Sequence, residues 1–358
     1  MSQLTPGTSV TSATTPARPT LNGNDLRQCL RIAFASTLGF VLCKLMNWNY
    51  GTFFAVYPML LLGLVPVLNA HVLRQFIGSI AFVGVSTLFV QGLFGDKPLA
   101  MTLMVILQFG FLFRCMTRGA NFLFGAMTMV GLSMQLHFAS YPAPITHIGD
   151  IVMSNLVAGA YTLLVTFLMY TLFPDVAPRA PRQLPAKPLS NQRHEVILAT
   201  TVATLSFIVF QSFDLIDSLS AQVASVLVLF PLNWHGAGKA GWNRAVGTLV
   251  GCNVGLLIQL VLYSHFNVLL FVALAMWISV MFFARHHMFE GGQSGAGFGA
   301  MTTMGILFGQ YLTPQKDLVY SALYRFSSVA ISVICTLIAV YLMHQLLNRF
   351  QSTRLQLS

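Results

Sequence analysis

Arg325 is the only cation placed inside a long apolar segment of the chain, and it lies eight residues beyond Asp317. A guanidinium in hydrocarbon costs about 2.5 to 3.5 kcal/mol on insertion scales, so such a residue usually faces a cavity or a partner. Two interpretations stay open. Arg325 either reaches the outer headgroups or pairs with Asp317, or it contacts an anion that crosses the membrane.

Two asparagine and histidine pairs lie at corresponding ends of apolar segments: Asn69 with His71, and Asn233 with His235. As turn residues they need no function. Alternatively, polar pairs at the mouth of a pathway could select substrate, or the imidazoles could sense protons because histidine titrates near neutral pH. We therefore keep all four as candidate substrate-binding residues.

Asp150 and Asp317 each begin an apolar segment on its predicted outer side. A carboxylate there is favourable by about 0.3 to 1 kcal/mol through the helix dipole, and it can cap the helix. Proton coupling or gating is the alternative interpretation. Each of the nine acidic residues maps near the end of an apolar segment or in a break, so proton coupling is not indicated by a carboxylate at the membrane midplane.

The sequence gives little sign of a catalytic or metal-binding site. His286, His287 and Glu290 have helical spacing, but they lie in a break without a second ligand cluster nearby. The sequence has no G-x-S-x-G, H-E-x-x-H or P-loop motif. We therefore expect no enzyme, cofactor or resident metal. A membrane-embedded enzyme or an assembly scaffold is a disfavoured alternative, which a metal ion bound at His286 and His287 would support.

The elements that position these residues are apolar helices. The 358 residues are 56% hydrophobic and 8% charged, against roughly 25% charged in a soluble domain. Continuously apolar runs of about 20 residues favour helices over a barrel. The predicted segments are 28–46, 52–68, 72–94, 98–116, 119–139, 147–173, 195–213, 218–232, 243–263, 267–285, 292–312 and 318–347.

These segments predict an all-α polytopic membrane protein of about twelve transmembrane helices, arranged as two parallel six-helix repeats. The predicted divisions are a disordered cytoplasmic tail (1–24), a first membrane module (25–173), a cytoplasmic linker (174–192), a second membrane module (193–347) and a cytoplasmic tail (348–358). Segment 218–232 is short enough to be a partial or tilted span.

The cations predict the orientation. With a cytoplasmic N-terminus, only Lys44, Lys97 and Lys316 fall outside, and Arg325 remains in a span. Fifteen fall inside, a strong positive-inside bias that predicts two cytoplasmic termini. These are Arg18, Arg27, Arg31, Arg74, Arg114, Arg118, Arg179, Arg182, Lys187, Arg193, Lys239, Arg244, Arg285, Arg349 and Arg354.

The two halves share sequence. Residues 124–131 (FGAMTMVG) match residues 298–305 (FGAMTTMG) at six of eight positions, 150–154 echo 317–321, and 66–71 echo 231–235. These matches keep the same order, which indicates an internal duplication. Because six is even, both copies insert the same way round, and such parallel repeats are found in transporters. Arg325 corresponds to Ala158 in this alignment, so its role is performed once per chain.

The chain resembles the fusaric acid resistance and aromatic acid exporter superfamily. The residues that carry the resemblance are 244–255 (RAVGTLVGCNVG) and, more weakly, 74–79 (RQFIGS). The first module has one extra residue between Arg74 and Gly78, and the large cytoplasmic domain of many members is absent. The scattered cations, with a net charge of +10, do not indicate nucleic acid.

This resemblance implies a bacterial inner-membrane secondary exporter of small organic, especially aromatic, acids or related toxic compounds. It adds Arg74 and Arg244 to the candidate substrate or translocation residues. The expected partners are the organic anion, the lipid bilayer, a periplasmic adaptor with an outer-membrane channel, and a second copy of the chain. A passive organic-anion channel formed by the two modules is the alternative, because the same module resembles the membrane part of plant malate channels.

Overall fold

The computed structural model describes residues 21–139, 147–179, 187–213, 215, 218–262, 265, 267–292, 295–310 and 318–356. This part of the chain is helical and contains no strand. Its helices are α1 (Gly23–Leu45), α2 (Gly51–Leu64), α3 (Ala70–Phe94), α4 (Pro98–Thr117), α5 (Phe122–Ala139), α6 (Ile148–Leu172), α7 (Leu189–Ser212), α8 (Leu219–Val228), α9 (Trp234–Val261), α10 (Leu269–Phe289), α11 (Ala296–Gln310) and α12 (Leu318–Leu347).

Nine of these helices are long and apolar enough to cross a bilayer, which confirms the predicted all-α polytopic membrane protein. The remaining three, α2, α8 and α11, have 14, 10 and 15 residues. At 1.5 Å per residue, α8 is about 15 Å long, which is half of a hydrocarbon core of about 30 Å. The short α8 agrees with the partial span predicted for 218–232.

Several helix boundaries differ from the predicted segments by four or more residues, and two of them have a clear local cause. α2 ends at Leu64 instead of 68, because Val65 is extended and Pro66 follows it; a residue before proline is disfavoured in the helical region. α9 begins at Trp234 instead of 243, because Asn233 caps it and polar residues continue the helix beyond the apolar run. Apolarity alone predicts the membrane-buried part of a helix, not its full length.

The contacts between the first set (α1–α6) and the second set (α7–α12) come in matching pairs. α1 packs on α10 and α4 packs on α7; α2 packs on α11 and α5 packs on α8. Within each set the third helix packs on the fifth and sixth, and the second packs on the sixth. Short, buried helices therefore form the centre, with α2 and α8 each held by a helix of the other set.

The beginning of the linker, residues 174–179, packs against α1. Asp175 forms an ion pair with Arg31, whose guanidinium also lies 4.1 Å from the centre of the Tyr170 ring. Arg179 forms an ion pair with Asp25 at 3.0 Å. Arg31 is 1% exposed, so Arg325 is not the only buried cation on a predicted span. Arg31 lies in the third turn of α1, near the predicted cytoplasmic end, and the sequence analysis therefore counted it among the cytoplasmic cations.

The C-terminal residues fold back onto α7 through a chain of hydrogen bonds. The Thr353 carbonyl can only accept, so His194 Nδ1 donates to it at 2.7 Å. His194 Nε2 then accepts from His344 Nδ1 at 3.1 Å. Asn348 Nδ2 donates to His344 Nε2 at 3.0 Å, and Asn348 Oδ1 accepts from the Leu355 N–H. Both imidazoles are neutral in this arrangement.

Acidification should therefore release the C-terminal residues from α7. A proton on either ring places two N–H groups face to face, while His235 near the same site adds repulsion once charged. The Glu195–Lys187 pair at 2.8 Å and Arg193, Arg349 and Arg354 complete the charges nearby.

We expect hydrogen exchange of residues 350–356, corrected for its intrinsic pH dependence, to be slow at pH 8 and at least tenfold faster at pH 5.5. His344→Ala should exchange fast at both pH values. Equal protection of the unchanged protein at both would contradict the account.

Candidate functional site

Arg325 lies on α12 with its side chain buried, 1% exposed. Its Nη1 donates to Ser220 Oγ at 2.8 Å, and Ser220 is the second residue of the fully buried α8. The Arg325 carbonyl accepts from Ser328 Oγ at 3.0 Å. Ala158, at the corresponding position of α6, is fully buried. The guanidinium is thus held inside the second set, and the first set has a methyl group at that position.

A crevice of about 380 Å³ lies between α7, α8 and α12; Tyr324 and Ser328, which flank Arg325 on α12, line it, and Arg325 itself is not among its lining residues. Its walls combine aliphatic side chains with hydroxyl groups, among them Ser206, Ser218, Ser328 and Ser332. Ser332 Oγ donates to the Ala221 carbonyl, and Ser218 and Tyr324 hydroxyls are 2.8 Å apart. Ligand pockets of this kind usually measure about 300 to 1,000 Å³ and carry few polar groups. The crevice can therefore hold a small amphipathic molecule.

Arg244 is a second buried cation of the second set, 4% exposed. It lies on α9, and its Nη1 donates to Thr302 Oγ1 at 2.6 Å and to the Gly299 carbonyl at 3.3 Å, both on α11. Gly247 lies one turn along α9, where an added Cβ would be 2.5 Å from the Ala296 carbonyl oxygen. The close approach of α9 and α11 places the guanidinium against the α11 backbone.

Arg74 is exposed, and its Nε bonds the Ala70 carbonyl of its own helix at 3.3 Å. Gln75 instead makes the contact from α3 to α5: its Oε1 accepts from the Phe124 N–H at 2.9 Å. The spacing from Gln75 to Gly78 equals the spacing from Arg244 to Gly247. The equal spacing favours pairing Gln75, and not Arg74, with Arg244 in the repeat, and this pairing needs no extra residue in the first module.

Asn69 and Asn233 cap helices. Asn69 Oδ1 accepts from the Val72 N–H at 2.8 Å at the start of α3, and Asn233 Oδ1 accepts from the Gly236 N–H at 2.7 Å at the start of α9. His71 is exposed and its Nε2 lies 2.9 Å from the Ala120 carbonyl oxygen; His235 is exposed too. The structure brings none of these four to the crevice, and the turn interpretation explains the two asparagines.

Asp150 lies in the first turn of α6 and is exposed, which agrees with a favourable interaction with the helix dipole. Asp317, predicted to occupy the matching place, lies outside the described residues. Of the residues predicted at the outer side, Asp150 and Arg325 lie among the described residues.

His286, His287 and Glu290 have three separate structural roles. The Glu290 carboxylate accepts from the Ala296 and Gly297 N–H groups at 2.9 Å and so caps α11. His287 is buried with Nε2 3.0 Å from the Gly63 carbonyl oxygen of α2, which joins the two sets. His286 is exposed and lies 3.5 Å from Glu290. No group of three metal-binding side chains occurs among the described residues.

Several buried polar contacts were missed by the sequence analysis. His137 Nδ1 on α5 lies 2.7 Å from Gln222 Oε1 on α8, across the boundary between the sets. Tyr57 on α2 donates to Asn155 on α6 at 2.6 Å. These residues stand singly in apolar runs. A useful signal was available, because each is a polar side chain within an apolar segment, where an unpartnered group is costly.

Two family models divide the chain between them. The model described as Protein of unknown function (DUF2955) matches residues 28–169, from α1 to α6. The model described as Fusaric acid resistance protein-like matches residues 202–339, from α7 to α12. The second half of the chain is thus similar to the fusaric acid resistance protein-like family. No curated protein and no solved structure matches the chain.

The fusaric-acid-resistance-like half contains Arg244, Arg325 and the crevice. The family match confirms the resemblance seen in residues 244–255. Together with the nine long apolar helices, it indicates a multi-pass membrane protein with a role in transport. The site is thus a pair of buried guanidiniums and an amphipathic crevice in the half that carries the transport-family match.

Proposed function

We propose that this protein is a secondary exporter of small organic anions, especially aromatic carboxylates, and that the crevice beside Arg325 holds the anion in transit. The observation that carries the proposal is the burial of Arg325 next to a crevice with hydroxyl and aliphatic walls. A positive charge in a low-dielectric surround attracts an anion more strongly than in water. The aliphatic walls suit an aromatic or alkyl group.

The proposal also covers the orientation of the chain in the membrane and its expected partners. The fifteen-to-three distribution of cations supports two cytoplasmic termini in a bacterial inner membrane. Expected partners are the lipid bilayer, an organic anion, a periplasmic adaptor with an outer-membrane channel, and a second copy of the chain. Asn69, His71, Asn233, His235 and Arg74 would then lie at the cytoplasmic entrance, while Asp150 and Asp317 would lie at the outer side, where they could couple protons or gate the pathway.

The internal repeat is part of the proposal as well. Matching motifs in the same order support it, as do the matching contacts α1–α10 with α4–α7 and α2–α11 with α5–α8. In this view the two sets are related by an axis along the membrane normal. The halves then differ in function, since Arg325 replaces Ala158 and Arg244 replaces Gln75.

A passive organic-anion channel is the second candidate function. The same buried cations favour it, since they would attract anions in a channel too. The scarcity of buried carboxylates also favours it: among the described residues, the one buried carboxylate is Glu195, which pairs with Lys187 near the start of α7. A channel requires no proton carrier. Energy coupling is therefore the property that separates the two functions.

Efflux of labelled carboxylates from cells with and without the protein tests the proposal. The panel contains benzoate, a hydroxybenzoate, malate and neutral benzamide, each with and without a protonophore. An exporter should lower the retained aromatic acid severalfold and lose this effect with the protonophore. Downhill flux that persists with the protonophore would establish the channel. Absence of flux for every acid would overturn both functions.

A further inference from the structure

The guanidinium of Arg244 has one edge in use and one edge without partners. Nη1 bonds Thr302 and Gly299, whereas Nε and Nη2 are buried and have no hydrogen-bond partner among the described residues. No ion pair of the described part of the chain includes Arg244. This differs from Arg31, whose guanidinium pairs with Asp175 and lies over Tyr170.

Nε and Nη2 lie along the same edge of the planar guanidinium, and their N–H bonds point out of that edge in parallel. This edge matches the two oxygens of a carboxylate and accepts it in a bidentate manner. The bonds from Nη1 to α11 fix the plane, so the edge is oriented before any ligand arrives. We infer that the Nε and Nη2 edge of Arg244 is a bidentate binding site for the carboxylate of the transported anion. This inference rests on the proposed function and deepens it.

The energetic argument favours a ligand at this edge. A buried donor without a partner destabilises the protein, and more so when it is charged. A carboxylate supplies both missing acceptors and the missing negative charge. Binding would therefore remove a cost that the unliganded protein bears, which makes the site selective for carboxylates over neutral amides of the same shape.

Access to the site follows from the helices around it. Both donor atoms are enclosed in this state, so the anion must enter when α9 and α11 separate. Their contact consists of small groups: Gly247 lies against the backbone of Ala296 and Ala300, and Gly251 lies against Thr303. Such an interface lacks interlocking side chains, so the structure describes an occluded form of the site.

Direct binding tests this inference without transport. The probe is labelled benzoate, with benzamide as the neutral control, and the purified full chain is held in lipid nanodiscs. Arg244→Lys keeps the charge and removes the bidentate edge, so we expect at least tenfold weaker benzoate binding. Gly238→Ala on the same helix adds a Cβ that has no neighbour within 4 Å, and we expect its binding to remain within about threefold of the unchanged protein.

A second pair of variants serves if Arg244→Lys fails to fold. Thr248 is buried one turn beyond Arg244 on α9, and residues four apart on a helix are neighbours. Thr248→Asp adds a carboxylate one turn from Arg244, where it should compete with benzoate for the guanidinium, so it should abolish benzoate binding while retaining or raising thermal stability. Thr248→Asn has the same shape without the charge and should bind benzoate.

The outcomes separate the site from the function. Loss of binding in Arg244→Lys or Thr248→Asp, with binding kept in Gly238→Ala or Thr248→Asn, supports the inference. Unchanged binding in the first two variants overturns the inference, even where cellular efflux shows that the exporter proposal holds. Equal affinity for benzoate and benzamide, or no benzoate binding by the unchanged protein, also overturns it.

Discussion

Arg325→Ala should reduce the export of aromatic carboxylates at least tenfold while the protein still inserts and folds. Arg325 is buried beside the crevice and bonds Ser220. At an effective dielectric constant of about 20, a charge pair 4 Å apart is worth about 4 kcal/mol, and 1.4 kcal/mol corresponds to a factor of ten. Even partial screening of this attraction leaves an effect of that size. The rate of labelled benzoate efflux, normalised to the amount of folded protein, measures it.

Two variants control for the shape of the side chain and for its hydrogen bond. Arg325→Lys retains a positive charge and should keep more export than Arg325→Ala. Ser220→Ala removes the hydroxyl that accepts from Arg325 but leaves the charge, and should keep export within severalfold. Full export by a well-folded Arg325→Ala variant would remove this residue from the mechanism.

Gly247→Ala should lower the thermal midpoint of the purified protein by roughly 5 to 10 °C. A Cβ there would be 2.5 Å from the Ala296 carbonyl oxygen and 2.8 Å from the Ala300 nitrogen. Both are backbone atoms, so α9 and α11 must move apart. Overpacking of this kind costs about 1 to 3 kcal/mol, and about 1 kcal/mol shifts the midpoint by a few degrees in large domains. Because Arg244 bonds α11, benzoate binding should weaken as well.

Gly238 provides the matched control on the same helix. A Cβ at this position has no neighbour within 4 Å. Gly238→Ala should therefore be neutral or stabilising by up to about 1 kcal/mol, because alanine favours the helix more than glycine does. The two substitutions are chemically identical and should change stability in opposite directions. Equal midpoints would show that the contact between α9 and α11 does not limit stability.

The predicted fold agrees with the structure where a signal repeats over many residues. Apolar runs predicted the helices from Gly23 to Leu347, since burial in lipid requires such runs. The same signal could not show that α8 ends at Val228, because Leu229 and Phe230 continue the apolar run. It also missed the start of α9 at Trp234, because most of residues 234–242 are small or polar.

The predicted site agrees less well, because a site depends on contacts between distant residues. Arg325 and Arg244 were both singled out, and both are buried, but the sequence could not show that Ser220 and Thr302 accept their hydrogen bonds. Arg31 was read as an interfacial charge because its partner, Asp175, is 144 residues away. The aspartate and asparagine positions that begin helices needed no distant partner, and capping from local spacing explains Asn69 and Asn233.

The burial of α2 on all sides imposes an order on biogenesis. Residues Thr52–Gly63 are buried, and one flank is covered by α11: Gly63 lies against Phe298, and Gly305 against Met59. The ribosome completes α2 at Leu64 and starts α11 at Ala296, about 230 residues later, and nascent chains fold from the N-terminus onward. The nascent first half therefore carries an uncovered helix throughout most of translation. Helix α2 becomes fully covered only when the last two helices emerge.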